Sequence, residues 1–130
     1  MLKRILLLAA LTAGFALAQS GPVYELRTYT AEPGKLNALI ARFKDDTVRI
    51  FNKHHMESVG YWVPSDGDAS KNTLIYILKH PSRADGEKNW EAFRTDPEWT
   101  KVAAESEKNG KLVTKVDRIW LTPTQFSALK

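Results

Sequence analysis

Apolar and polar positions alternate with two different periods along this chain, and the switches between them outline its elements. Val23 to Thr30 reads Val-Tyr-Glu-Leu-Arg-Thr-Tyr-Thr, a two-residue alternation rich in strand formers. It places Tyr24, Leu26 and Thr28 on one face and Val23, Glu25, Arg27 and Tyr29 on the other. Ala31-Glu32-Pro33-Gly34 breaks the pattern, with Pro33 suited to a first helical turn and Gly34 to a tight entry. From Lys35 onward, Leu36, Leu39, Ile40, Phe43, Val48, Ile50 and Phe51 recur mostly at spacings of three and four. That period predicts one amphipathic helix about 28 Å long at the α-helical rise, ending near His54 or His55.

Val59 to Val63 then reads as a strand closed by Pro64, and Ser65 to Lys71 as a polar loop. The loop's Asp and Gly residues lack the ligand spacing and terminal Glu of a calcium-binding EF-hand. Asn72 to His80 is a nearly continuous apolar run, the pattern of a central strand. Ser82 followed by Asp85 resembles a capping box for a helix whose buried side is Trp90 and Phe93, with Gly86 weakening it. Asp96-Pro97-Glu98 ends that helix and starts another, along which Trp99, Val102, Ala103 and Ser106 share a face. Asn109-Gly110 stops it, and Leu112 to Leu121 is the last strand. The order β-α-β-β-α-α-β is that of an α+β, ferredoxin-like unit with an antiparallel four-stranded sheet and its second helix broken in two. Its helices cover one sheet face, so a small protomer must hide the other, which predicts self-association.

The first 18 residues change the picture of where the chain works. Lys3-Arg4, the apolar run from Ile5 and the ending Ala16-Leu17-Ala18 have the form of a secretory signal peptide, too short to span a bilayer as a helix. Residues 1–18 are therefore expected to be removed and the protein to be periplasmic or secreted, with no integral membrane segment after cleavage. Taking 18 of the 130 residues away leaves 112, read as one domain over 19–122 and a tail over 123–130 whose Phe126 is placed to pack on a neighbour. The chain has no Cys, which excludes a disulfide framework and a thiol nucleophile. Lys3 and Arg4 are two of its 19 basic residues, leaving 17 against 15 acidic ones. That dispersed balance is not one of a nucleic-acid-binding protein.

Several short words in this frame carry a resemblance. Tyr24-Glu-Leu-Arg-Thr-Tyr29, Pro33-Gly34-Lys35, His54 followed by Val59-Gly-Tyr-Trp62, and Asp96-Pro-Glu-Trp99 together resemble the NIPSNAP family. The resemblance implies a homodimeric α/β barrel made by two ferredoxin-like units, in a superfamily that includes cofactor-free monooxygenases, isomerases and haem-binding members. Family members commonly place Gly after the histidine, whereas this chain has His55, so its left-handed turn is expected to be strained or altered.

Two groups of side chains carry candidate chemistry. His54 suits acid/base work near neutral pH, against the commoner role of a helix-end histidine, the capping of its helix's last carbonyls. His55 diverges from it and makes a poor chelate, so no metal site is expected. In the second group Arg27 is suited to bind a carboxylate or enolate oxygen and Tyr29 to donate a hydrogen bond, with Glu25 holding the guanidinium. The same trio can instead fix the register of an interface. Lys115 and Asp117 share a face of the last strand and are eligible for either network. Tyr61, Trp62, Tyr76 and Trp99, with Glu25, are candidate walls for a small apolar or aromatic ligand, although large aromatics most often simply fill cores. Phosphate-binding, dinucleotide and serine-nucleophile motifs are absent from the sequence. No cofactor is expected; haem ligation by His54 or His80 ranks behind the other readings.

Overall fold

The structure, a computed structural model, describes residues 21–130; the expected signal peptide and its cleavage point lie outside the described residues. Four strands, β1 (Val23–Ala31), β2 (Glu57–Trp62), β3 (Thr73–His80) and β4 (Val113–Leu121), form one antiparallel sheet in the order β2-β3-β1-β4. Helices α1 (Leu36–Arg42) and α2 (Val48–Lys53) connect β1 to β2, and α3 (Arg83–Thr95) and α4 (Pro97–Ser106) connect β3 to β4. This is the α+β, ferredoxin-like arrangement that the periodicity predicts. Among the described residues no helix is long and apolar enough to cross a membrane.

The first helical segment departs from the single regular helix expected of it. Between α1 and α2 the backbone makes a π turn over Phe43–Thr47, and Thr47 Oγ1 donates to the Arg42 carbonyl at 3.2 Å. The buried pair Arg42 and Phe43 is followed by Thr47 and the half-buried Val48, a spacing of five that the wider turn accommodates. Pro33 also lies outside the helix: Lys35 N–H donates to the Glu32 carbonyl at 2.9 Å, closing a turn in which Gly34 has φ 74°. The second strand starts two residues earlier than expected, at Glu57.

Capping explains the other helix boundaries. The Asp85 N–H donates to Ser82 Oγ at 3.1 Å at the head of α3, and the Glu98 N–H donates to Asp96 Oδ1 at 2.8 Å at the head of α4, each satisfying a donor that has no partner within its helix.

Register divides the sheet into two unlike faces. Glu25, Arg27, Tyr29, Tyr61, Tyr76, Leu78, His80 and Trp120 alternate onto the helix side, where Leu39, Phe43, Ile50, Phe51, Trp90 and Phe93 complete the core. The opposite face carries Leu26, Ile75, Ile77, Ile119, Leu121 and Trp62, with Ile119 54% and Trp62 49% exposed. Lys115 and Asp117 also fall on that open face, where they pair with each other at 3.1 Å. The β1–β4 register therefore separates them from Glu25, Arg27 and Tyr29, and they complete neither of the networks open to them.

Candidate functional site

Between the sheet and α3 the chain buries a string of polar groups that begins at the motif Tyr24-Glu-Leu-Arg-Thr-Tyr29. Glu25 is fully buried, and its carboxylate accepts the Trp90 Nε1–H at 2.6 and 3.0 Å to its two oxygens. His80 Nε2 lies 3.7 Å from the same carboxylate. Glu25 was expected to hold Arg27; instead the Trp90 indole stands between the two roles, fixed by Glu25 at its edge and covered at its face by the Arg27 guanidinium, 4.2 Å from the ring centroid. Such a contact suits a flat, weakly hydrated cation.

From Arg27 the string continues outward. Arg27 Nη2 donates to Tyr29 Oη at 3.4 Å, and Tyr76 Oη donates to the same oxygen at 3.0 Å. Burial works against the Arg27 charge, but Tyr29 and Tyr76 outweigh it and the guanidinium stays above its ordinary value. Burial, followed by the Tyr29 hydroxyl, pushes the Tyr76 phenol well up, so it remains a donor at every physiological pH. Arg27 and Tyr29, joined on sequence grounds alone, are thus brought together.

His54 stands elsewhere. It caps α2, and its Nε2 lies 2.6 Å from Asp96 Oδ2, with Phe93 against its ring. Lys53 Nζ reaches the same carboxylate at 2.7 Å. Hydrogen bonds from Lys53, then His54, then the Glu98 backbone hold the Asp96 carboxyl well below the usual range. The imidazole therefore ties the end of α2 to the start of α4 and shares no contact with Arg27 or Tyr29. His55 adopts φ 58°, the left-handed turn at the position where the family pattern has Gly.

The aromatic candidates divide by face. Tyr76 has no exposed surface, stacks on Tyr61 at 5.5 Å, meets Tyr29 edge-on and packs at a tilt against Phe43 and Phe51. Trp99 packs against Phe93 at 4.6 Å. These rings fill the space between sheet and helices. Trp62 lies on the open face with its indole over Gly60, where an added Cβ would come within 2.6 Å of it.

Residues after β4, which the sequence marked only as a tail, return across the open face. Lys79 Nζ donates to the Lys130 carbonyl at 3.0 Å. Beneath the tail is a cleft of about 310 Å³ lined by Tyr24, Ile77, Leu121, Thr122, Pro123, Thr124, Ser127 and Leu129. Its walls come from β1, β3, β4 and the tail, so no local pattern in the sequence announces it. Among the described residues no cluster of His, Asp and Glu is placed to hold a metal ion.

Comparison with known proteins places this geometry. The NIPSNAP family model matches residues 24–128. Protein NipSnap homolog 3A from Pongo abelii is 33% identical over 79 residues, a stretch that is 61% of this chain and 31% of that protein. Its Homo sapiens counterpart is 32% identical over 79 residues. The match thus spans about a third of the curated relatives' length. Among solved structures, a NIPSNAP family protein of unknown function from Agrobacterium tumefaciens superposes with a TM-score of 0.73 at 24% identity, covering 86% of this chain and 96% of that one. A NIPSNAP-like domain protein from Burkholderia xenovorans gives a TM-score of 0.71 at 18% identity over 83% and 90% of the two chains. With the family pattern matched from the first strand into the tail, on the fold that those structures share, this chain belongs to the NIPSNAP family.

Proposed function

We propose that this NIPSNAP domain is exported, pairs with a second copy through the open face of its sheet, and holds a small apolar organic molecule in the space so enclosed. The observation that carries the binding is the cleft of about 310 Å³ under the tail, within the size range of small-molecule sites and walled mainly by hydrocarbon. Pairing is supported by the row Leu26, Ile75, Ile77, Ile119 and Leu121 on the same face, an apolar surface that water penalises while it stays uncovered. Export is supported by the signal-like residues 1–18. The space between sheet and helices is taken up by the chain's own aromatic rings, which is why the ligand is assigned to the opposite face.

Nile red, a neutral apolar dye, tests the reading. Its fluorescence should rise on titration with the protein and lose most of that rise in Leu121→Gln combined with Ile77→Gln, with far-UV circular dichroism unchanged. A dye that fails to bind, or that binds the double variant equally well, would remove the ligand and leave an interaction module as the better description.

A further inference from the structure

We propose that Arg27, Arg118 and the Tyr29 hydroxyl form a binding site for the carboxylate of a small organic acid, on the helix side of the sheet and independent of the cleft under the tail. Tyr29 Oη accepts from both Arg27 and Tyr76, so its own proton is left to donate outward. Arg27 Nε is buried and meets no acceptor. Nor does a carboxylate among the described residues form an ion pair with Arg27: Glu25, two positions away on the same face, is occupied by Trp90 and His80. The Arg27 charge rests on the faces of Trp90 and Tyr29 instead. A half-buried cation surrounded by donors and ring faces calls for an acceptor from outside.

Arg118 sharpens this. It is the cross-strand partner of Arg27, so two guanidinium groups rise from facing positions on one side of the sheet. Like charges directly opposite each other destabilise a sheet, and an anion between them reverses that cost. Arg118 Nη1 donates to Glu87 Oε2 at 3.4 Å while its guanidinium lies 5.4 Å from the Trp120 ring. Arg83 reaches the same Glu87 at 4.0 Å, so one acid is shared by two bases and none is left over for Arg27. Val116, opposite Tyr29, is 45% exposed. The helix layer therefore leaves this part of the sheet open and puts hydrocarbon beside the donors. Two planar forks match the two oxygens of a carboxylate, and Val116 with the Tyr29 ring suits an organic body attached to it. Inorganic phosphate would gain the charge but not the hydrocarbon contact.

Titrations followed by NMR at the arginine Nε–Hε groups decide the matter, with hexanoate, hexanamide and inorganic phosphate as probes. Hexanoate should shift the Arg27 signal and saturate in the millimolar range, while hexanamide leaves that signal unmoved. Arg27→Gln and Arg118→Gln should each weaken hexanoate by about tenfold, the loss of a charge-assisted pair, and Tyr29→Phe by less. An Arg27 signal indifferent to hexanoate at tens of millimolar, tighter binding of phosphate than of hexanoate, or equal response to hexanamide would each overturn the proposal. Should Arg27→Gln fail to fold, the more exposed Arg118→Gln carries the test, and unchanged hexanoate affinity there counts against the site. Nile red binding is unaffected by any of these results, so this site and the cleft stand or fall separately.

Discussion

Gly86 lies inside α3, where glycine costs about 1 kcal/mol relative to alanine in a helix interior. From the sequence it looked only like a weakness. In the fold a Cβ at this position would meet Trp120 Cη2 at 2.7 Å and His80 Cγ at 2.9 Å, so the missing side chain lets α3 settle onto β3 and β4. Gly86→Ala gains helix propensity but must push a buried imidazole and an indole aside. The expected net result is a loss of roughly 1–2 kcal/mol, given the usual cost of overpacking, read from the urea midpoint at unchanged slope. A more stable variant would show that the two rings yield freely. His55 is the opposite kind of residue: a side chain accepted at φ 58°, where glycine would sit without steric cost. The family pattern marks that position in the sequence, whereas the constraint on Gly86 comes from residues on two separate strands and leaves no local trace.

At the scale of elements, the link between α2 and α4 joins two helix ends of opposite polarity. Asp96 is a negative group at the positive end of α4, and the Lys53 ammonium lies beside His54 at the negative end of α2, so the Asp96 and Lys53 charges each suit their own helix. Because the Asp96 carboxyl is held below its ordinary value of 3.8, its contribution to stability is complete above that value and is lost as pH falls toward the folded-state one. Asp96→Asn keeps a side chain able to cap α4 but has no charge to titrate. The stability difference between wild type and this variant should therefore be present at pH 7 and shrink steadily below about pH 4; a difference constant across that range would show that capping alone accounts for it. The Asp96-Pro97 signal that places this helix start was readable directly. The π turn at Phe43–Thr47 was not, because a spacing of five between core positions also reads as a polar interruption of an ordinary helix.

Across the whole molecule the main imbalance is between the sheet's two faces. One is covered by helices except beside Val116 and Arg118, while the other exposes Ile119 and Trp62 and is only partly covered by the tail, from which Phe126 projects with 91% of its surface exposed. If a second copy covers this face, Ile119→Asp, which puts a charge where the partner's hydrocarbon would lie, should convert a dimer into a monomer. Light scattering after gel filtration should show the mass halved, with circular dichroism retained; a wild-type protein that is already monomeric would contradict the pairing.

Local sequence determined the elements, their order and most of their ends, because period, capping chemistry and turn residues act over a few positions. It also joined Arg27 to Tyr29, since residues two apart on a strand must share a face. Only tertiary structure decided which face that was and what met it there. Glu25 turned out to be held by Trp90, 65 residues away, rather than holding its neighbour Arg27. His54, adjacent to neither in sequence, became the partner of Asp96, and Lys115 with Asp117 fell to the far side of the sheet. Strand register and helix docking make those choices, and they depend on the packing of the whole core rather than on any stretch of the chain.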